Sequence, residues 1–174
     1  ALAMGNSGSS YLSLIDQYKI SSTGNANRFG NLTRELAYCS ICSNKTRAVA
    51  LGGDNASITG TNEIQYVEFA TEGNAADFGD LTAVTFVAGG MANNTRGVAW
   101  GHSSGDSNHI DYITLSTTGN ASDFGDLAAA RSKGASLSSS VRAVFGGGQV
   151  APASPGLTNT IEYVTTATTG NATD

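Results

Sequence analysis

Residues 110–127 read Ile-Asp-Tyr-Ile-Thr-Leu-Ser-Thr-Thr-Gly-Asn-Ala-Ser-Asp-Phe-Gly-Asp-Leu. The pattern of this stretch recurs along the chain, and the recurrence predicts the fold. Each copy opens on an isoleucine that is followed nine residues later by a Gly-Asn pair, and three copies add a Phe-Gly pair five residues after that glycine. The glycines of the four copies are Gly24, Gly73, Gly119 and Gly170. They are 49, 46 and 51 residues apart. The chain is therefore an array of one unit that is longer than the roughly 20 to 35 residues of solenoid repeats.

An arginine opens a short apolar run that ends in glycine, as in Arg47-Ala-Val-Ala-Leu-Gly-Gly53. The repeated isoleucine and the residue before the next arginine are 31 residues apart in all three cases. From that residue to the next isoleucine the distance is 18, 15 and 20 residues. All variation in length therefore falls in one polar segment per copy. These segments are 6–14, 54–63, 102–109 and 149–160. A fixed frame with one variable loop per repeat is typical of a scaffold whose loops carry the function.

The repeated unit predicts four short β-strands and no helix. Arg47–Gly53 is an apolar run stopped by glycines, and Glu63–Ala70 alternates apolar and polar residues, which is the period of a strand with one buried face. The Phe-Gly-Asp-Leu stretch predicts a third strand, and the segments before each arginine, 36–44, 86–93 and 134–139, predict a fourth. The Thr-Gly-Asn-Ala segments contain residues typical of turns. We therefore expect an all-β fold.

The composition excludes several classes of function. Of the 174 residues, 13% are charged, against about 25% in an average globular protein, and the formal net charge is −5. Nine lysines and arginines are too few for a protein that binds the nucleic-acid backbone. No apolar run approaches the roughly 18 to 20 residues that span a bilayer. With 40% hydrophobic residues, the chain is too apolar for disorder, so we expect a folded domain without nucleic-acid binding or membrane insertion.

The whole chain, 1–174, is expected to form a single repeat array. Its copies cover approximately 1–32, 33–81, 82–127 and 128–174, and the last copy is truncated. The first copy lacks the strand that precedes the arginine, and the last copy stops before a Phe-Gly pair, so about three and a half repeats of 46–51 residues are present. We expect the sequence to be part of a longer chain, or one piece of an oligomer that closes a ring.

The order arginine, apolar strand, Gly-Gly, variable loop, strand with tyrosine, turn and aromatic residue resembles the kelch repeat. Kelch units of about 50 residues form the four-stranded blades of a β-propeller, so the resemblance implies that fold. Phenylalanine stands where kelch repeats carry tryptophan, and the first copy has Gln17 at the tyrosine position. The residues that carry the pattern, for which a structural role is expected, are Arg47, Arg96, Arg142, Gly52, Gly53, Gly147, Gly148, Tyr66, Tyr112, Tyr163, Phe29, Phe78 and Phe124.

A narrower resemblance comes from Thr117-Thr-Gly-Asn-Ala-Ser-Asp-Phe-Gly-Asp-Leu127 and Thr168-Thr-Gly-Asn-Ala-Thr-Asp174. Both are similar to repeats in virion structural and tail-fibre proteins of marine phages, cyanophages among them. The resemblance implies a location at the virion surface or outside the cell. It also implies that the partners are other virion proteins, or glycans and proteins of a host surface, and it is compatible with a homo-oligomer.

No set of residues indicates catalysis, and we expect no cofactor and no metal. Cys39 and Cys42 form a Cys-x-x-Cys pair, but no second pair completes the four ligands of a zinc site, and the matching positions in other copies are small or apolar. Packing is therefore the favoured interpretation. Asn120, Asp123 and Asp126 offer oxygens to calcium, yet the other copies lose these carboxylates, which favours turns closed by bonds to their own backbone. No nucleophile, base and acid occur together.

His102 and His109 share one variable segment, and a pair of solvated loop histidines is favoured over a metal site because no carboxylate repeats with them. We expect the variable segments to form a binding face. Its residues are Asp54, Asn55, Thr61, His102, Asp106, His109, Gln149 and Asn159. The leading hypothesis is a non-enzymatic fibre, appendage or decoration domain of a virus particle that binds a host surface or another protein through this face. The alternative is a cellular kelch-type adaptor for protein–protein interaction.

Overall fold

The computed structural model describes residues 1–5, 11–55, 58–85, 87–102, 107–150 and 156–174. In these residues the chain forms fourteen β-strands and one 3-10 turn at Phe69–Thr71, which confirms the all-β prediction. The strands are, in chain order, β1 (Leu2–Met4), β2 (Leu12–Gln17), β3 (Asn27–Leu36), β4 (Ser40–Ser43), β5 (Arg47–Asn55), β6 (Ile58–Glu68), β7 (Ala76–Thr85), β8 (Val87–Ala92), β9 (Arg96–His102), β10 (Ser107–Thr114), β11 (Ser122–Asp126), β12 (Ala135–Ser138), β13 (Arg142–Gly146) and β14 (Ile161–Thr165). The described part of the chain contains no helix that is long and apolar enough to cross a membrane.

The strands form four antiparallel sheets, and in each sheet every strand pairs with the next one along the chain. The second and third sheets have four strands, β4–β7 and β8–β11, as the repeat predicts. Among the described residues, the first and fourth sheets have three strands, β1–β3 and β12–β14. The start of a further pairing follows β14, where Tyr163 and Thr173 exchange backbone hydrogen bonds of 2.8 and 2.9 Å.

The Phe-Gly pair builds a β-bulge into the outer strand of the first three sheets. In the second sheet the register shifts between Ile64 and Gln65, so that Phe78 is an extra residue in β7. The register shifts at the same place in the first sheet, around Phe29, and in the third sheet, around Phe124. A bulge redirects the side chain that it carries, and all three phenylalanines are buried. The glycine that follows has a φ of 145° in both the second and third sheets, a conformation that favours glycine.

The hydrophobic core lies between consecutive sheets, in three clusters. The clusters are Met4, Ile15, Phe29, Leu32, Leu36, Ala48, Ala50 and Val67; Cys42, Val49, Leu51, Ile64, Phe78, Leu81, Ala99, Ile113 and Leu115; and Met91, Val98, Trp100, Ile110, Phe124, Leu127, Ala143, Phe145 and Val164. Consecutive sheets are thus packed face to face, with the first strands β4, β8 and β12 side by side. No cluster in the described residues joins the first sheet to the fourth, so the closed propeller and its number of blades stay predictions.

The variable segments contain more strand than the sequence suggests. β5 continues to Asn55 and β6 begins at Ile58, so most of the segment 54–63 belongs to a hairpin. In the third repeat, β9 ends at His102 and β10 begins at Ser107. The polar composition of these segments predicted loops, but pairing with the neighbouring strand outweighs the weak preferences of the individual residues.

Candidate functional site

The Gly-Asn-Ala turns of the second, third and fourth repeats bind the outer strand of the preceding repeat. In the third repeat the N–H of Gly119 donates to the Phe78 carbonyl and the N–H of Ala121 donates to the Asp80 carbonyl, both at 2.7 Å. The side-chain oxygen of Asn120 accepts the Asp80 N–H at 3.1 Å. The turn therefore forms three hydrogen bonds with the backbone of one strand. We call this contact the clasp.

The turn of the fourth repeat forms the same three hydrogen bonds, and the turn of the second repeat forms two of them, those of the alanine N–H and of the asparagine oxygen. Asn74 in the second repeat accepts the Asn31 N–H at 3.0 Å, and Asn171 in the fourth accepts the Asp126 N–H at 3.1 Å. The expectation that Asn120 bonds its own backbone is wrong, because its oxygen accepts from the strand packed against the turn. The repeated asparagine is therefore a contact between repeats.

In β3, β7 and β11 the glycine after the repeated phenylalanine allows the two backbones of the clasp to approach each other. A Cβ on Gly79 would lie 2.5 Å from the carbonyl carbon and oxygen of Gly119, and a Cβ on Gly125 would lie as close to those of Gly170. No side chain fits at such distances. Asp123 accepts the Gly125 N–H at 3.0 Å, which is the local turn bond that the sequence predicts. Phe-Gly and Gly-Asn are thus the two halves of one contact.

A polar side chain directly after the repeated isoleucine forms a second contact between sheets. Gln65 is fully buried, and its Oε1 accepts the Thr33 N–H of the first sheet at 2.6 Å. Asp111 is 1% exposed and accepts the N–H and the hydroxyl of Thr82 at 3.1 and 2.7 Å. The strand alternation predicted one buried face, but the second and third sheets are covered on both faces. The signal in the sequence was a polar residue at this place in all four copies, the fourth being Glu162.

Two of the three repeated arginines, Arg47 and Arg96, bridge neighbouring repeats. Arg47 Nη1 donates to the Leu115 carbonyl at 3.0 Å, and its guanidinium lies 4.8 Å from the ring centre of Tyr66. Arg96 donates to the Thr166 carbonyl at 2.8 Å and lies 4.7 Å from the tyrosine ring of its own repeat. A planar guanidinium can donate a hydrogen bond in its plane while its face covers an aromatic ring. The arginine and tyrosine of the kelch-like pattern are therefore in contact.

The expected binding face lies only partly at the surface. Asp54 and Asn55 end β5, and Asn159 is exposed before β14. Thr61 is 5% exposed, so its side chain is not accessible to a ligand in solution. Two predicted residues lie outside what the structure describes, namely the side chain of His102 and the whole of Asp106.

Two other residues of this face have partners that the sequence does not suggest. His109 Nδ1 lies 3.5 Å from an Asp126 oxygen, and its Nε2 lies 3.9 Å from an Asp123 oxygen. The expectation of histidines without carboxylates missed these residues because they stand on the neighbouring strand. Gln149 accepts a hydrogen bond from Lys133 Nζ at 3.0 Å. In the described residues, no group of three or more His, Cys, Asp or Glu side chains could hold a metal ion.

An exposed tyrosine stands at the same end of the second sheet as Asp54. Ala37 and Asp54 exchange backbone hydrogen bonds of 2.8 Å, and the Tyr11 hydroxyl donates to Asp54 Oδ2 at 3.4 Å. Tyr38 follows Ala37, has a φ of 55° and is 59% exposed. Lys133, at the matching position of the fourth repeat, has a φ of 58°, so this conformation belongs to the repeat frame. The repeat therefore exposes the Tyr38 side chain directly after the residue whose backbone pairs with Asp54.

A polar groove of about 580 Å³ lies between the first and second sheets, beside Thr61. Its lining includes Arg34, Glu63, Asp77 and Asp80. Arg34 Nε is 2.5 Å from Glu63 Oε2, which neutralises one of the three carboxylates. The remaining lining groups can accept and donate hydrogen bonds, so the groove suits a polar ligand.

Cys39 and Cys42 are free thiols. Burial raises the pKa of Cys39 to about 11 and that of Cys42 to about 12, so both stay protonated at neutral pH and are poor nucleophiles. Cys42 belongs to the cluster between the second and third sheets, where its Sγ lies 2.9 Å from the position of a Cβ on Gly97. The packing interpretation is confirmed for Cys42.

No protein-family model matches the chain, and no curated protein matches it significantly. Its function is therefore inferred from its own contacts. These contacts hold the sheets together through residues at constant positions of the repeat, and they leave polar side chains at the connections between the second and third strands.

Proposed function

We propose that the chain is a non-enzymatic β-propeller domain of a virion fibre, appendage or decoration protein. It binds a host-surface glycan or another protein through the connections between the second and third strands of its repeats. The observation that carries the proposal is a division within the repeat. The clasp, the buried acceptor and the arginine stand at constant positions, whereas the differences in length fall in those connections.

The packing of the sheets supports the propeller part of the proposal. Consecutive sheets pack face to face in chain order, and their first strands β4, β8 and β12 lie side by side. Blades of a propeller are arranged in this way, with the first strand of each blade nearest the central channel. The virion location depends on the resemblance of the Gly-Asn-Ala-Ser-Asp-Phe-Gly-Asp-Leu stretch to phage repeats.

The side chains at the end of the second sheet that carries Asp54 favour a ligand rich in hydroxyl groups. Tyr38 offers the face of an exposed ring, and Asp54 lies at the same end of the second sheet as an acceptor. The groove with Arg34 and Glu63 adds further donors and acceptors. An aromatic face combined with carboxylates can stack on a sugar ring and accept hydrogen bonds from its hydroxyls.

A glycan array tests the ligand class, with the wild-type chain, Tyr38→Ala and Tyr18→Ala. Tyr18 is a matched control because it is also exposed, at 47%, but stands at the end of the first sheet. We expect binding of at least one glycan to be lost in Tyr38→Ala and kept in Tyr18→Ala. Equal binding by both variants, or no binding by the wild-type chain, contradicts the glycan part of the proposal.

Mass spectrometry of purified virions tests the location. We expect peptides of this chain in the particle at a copy number typical of a structural component. Absence from the particle overturns the virion proposal. Capture of a cellular peptide through the same connections would then favour the kelch-type adaptor.

A further inference from the structure

The first sheet has a face that is exposed, although the matching face of every other sheet is covered. Tyr18 is 47% exposed, whereas Val67, Ile113 and Val164 at the matching positions are each 3% exposed. Ala3 is exposed as well, and it pairs with Asp16 just as the buried Ala50 pairs with Gln65. In the later repeats this face packs against the preceding repeat. We call it the first-sheet face and define it by Ala3, Asp16, Tyr18 and Asn25.

The first-sheet face carries both acceptors that join the other sheets. Asp16 stands directly after the repeated isoleucine, where Gln65 and Asp111 accept backbone N–H groups of the preceding sheet. Asn25 stands in the Gly-Asn-Ala turn, where Asn120 accepts the Asp80 N–H. Within the described residues, neither Asp16 nor Asn25 forms a side-chain hydrogen bond. Both halves of a contact that occurs three times in the molecule are thus present here without the strand that they bind.

We propose that the first-sheet face binds the outer strand of a further repeat, a strand with the chemistry Phe-Gly-Asp-Leu. The N–H after the glycine donates to Asn25, as that of Asp80 donates to Asn120. The N–H after the leucine donates to Asp16, as that of Thr82 donates to Asp111. Gly24 N–H donates to the carbonyl of the phenylalanine, as in the clasp of Gly119.

The geometry of the clasp makes the partner specific. The residue after phenylalanine must be glycine, because a Cβ there would lie 2.5 Å from the backbone of the turn in the second and third clasps. The three strands of this chain in which Phe-Gly is followed by Asp-Leu or Asn-Leu are β3, β7 and β11, and they are already bound by the turns at Gly73, Gly119 and Gly170. The strand that occupies the first-sheet face is therefore an additional copy of the motif.

Fluorescence anisotropy with a labelled peptide tests this inference on the full 174-residue chain. The probe is the sequence of residues 120–130, Asn-Ala-Ser-Asp-Phe-Gly-Asp-Leu-Ala-Ala-Ala, which contains both donor N–H groups. We expect saturable binding that becomes at least about tenfold weaker in Asp16→Ala/Asn25→Ala, because the charged acceptor and the clasp acceptor are both lost. A peptide with alanine in place of the glycine should lose binding to the same extent.

Asn94→Ala is the matched control, since Asn94 is an exposed asparagine that stands between β8 and β9 in the third repeat. Binding should be unchanged in this variant. The peptide also has a second place to pair, the edge of β14, where Ile161 is 61% exposed. The inference is overturned if the peptide does not bind, if it binds Asp16→Ala/Asn25→Ala as tightly as the wild-type chain, or if only Ile161→Thr weakens it. Because these variants leave Tyr38 unchanged, this test and the glycan test can fail separately.

Discussion

The interface between the first and second sheets and the interface between the third and fourth share the clasp but differ at one buried position. Leu36 and Arg131 both stand seven residues after the repeated phenylalanine. Leu36 belongs to an apolar cluster, whereas Arg131 faces Glu162, with Nη2 and Oε2 2.5 Å apart and both side chains 1% exposed. The same place in the repeat therefore holds an apolar side chain in one interface and half of an ion pair in the other.

Both interfaces contain a buried acceptor for a backbone N–H, but the ion pair occurs in one of them. Gln65 Oε1 accepts the Thr33 N–H at 2.6 Å, and Glu162 Oε1 accepts the Ala128 N–H at 2.8 Å, so an acceptor is needed in both interfaces. Of these two acceptors only Glu162 is an acidic side chain, and it pairs with Arg131. Arg131 Nε has no hydrogen-bond partner within the described residues, so the desolvation of the arginine is incompletely offset. We infer that the packing of one sheet on the next requires the buried acceptor and does not require the ion pair.

Arg131→Ala should cause the largest loss of stability among the variants that distinguish the two interfaces. Removing one member of a buried pair leaves the Glu162 carboxylate without its partner, and we expect the free energy of unfolding to fall by about 3–5 kcal/mol. Urea unfolding followed by tryptophan fluorescence measures this, since Trp100 is the single tryptophan and lies 5.8 Å from the guanidinium. Leu36→Ala, in the matching interface, should cost about 2–5 kcal/mol through loss of apolar packing alone.

The control variant Arg131→Leu/Glu162→Gln gives the third-to-fourth interface the residues of the first-to-second one. It keeps the acceptor for Ala128 and removes both charges. We expect it to recover at least the stability of the wild-type chain, because well-packed apolar replacements of buried pairs are often neutral or stabilising. If the double variant is as unstable as Arg131→Ala, the ion pair itself is required, and the comparison is wrong.

The sequence predicted the strands well because each carries its own signal. Apolar runs ending in glycine predicted β5, β9 and β13, and the alternation around Tyr66 predicted β6. These signals are local, and the backbone geometry follows from them. The sequence could not predict what each strand is packed against, so Gln65 was expected on a solvent-facing side and is buried.

The contacts between repeats were predictable only in part. The spacing of Gly-Asn and Phe-Gly pairs was visible, but it did not show that the turn binds the strand of another repeat rather than its own. Arg131 stands in a stretch of alanines without a repeated signal, and its partner Glu162 is in β14, beyond two intervening strands. Long-range pairs of this kind have no local pattern.

Gly30→Ala and Gly125→Ala test the part that both interfaces share. Each places a Cβ against the turn of the next repeat, at Gly73 and Gly170, so both should lower the free energy of unfolding by about 1–3 kcal/mol. Gly146→Ala is the control, because a Cβ at Gly146 has nothing within 4 Å, and a change of at most about 1 kcal/mol is expected. Thermal unfolding compares the three variants. A loss in Gly146→Ala equal to the others would mean that the clasp is not the cause.

Asn74→Ala and Asn171→Ala test how much the asparagine hydrogen bonds contribute in the two clasps. Asn74 Oδ1 accepts both the N–H and the side-chain amide of Asn31, at 3.0 and 3.3 Å. From the residues that the structure describes, Asn171 accepts only the Asp126 N–H, at 3.1 Å. We expect losses of about 0.5–1.5 kcal/mol, larger for Asn74→Ala. The two sites share no partner, so the losses should add in the double variant. Urea unfolding measures all three variants, and a larger loss for Asn171→Ala would contradict the assignment of the second acceptor bond.

The alkylation rates of Cys39 and Cys42 report how readily the interfaces open, and measuring them needs no substitution in the chain. This is the smallest of the expected effects. Cys39 packs beside the cluster between the first and second sheets, and Cys42 lies within the cluster between the second and third. Burial raises their pKa values to about 11 and about 12, from 9.0, so alkylation by iodoacetamide at pH 8 should be slow in the folded chain and fast in urea. The folded state holds protons that the unfolded state releases, so this contribution to stability is complete below pH 9 and is lost as the pH rises towards 11 and 12. Alkylation at equal rates in the folded and unfolded states would show that these interfaces open readily, and Cys42 should be the slower of the two thiols because its pKa is higher.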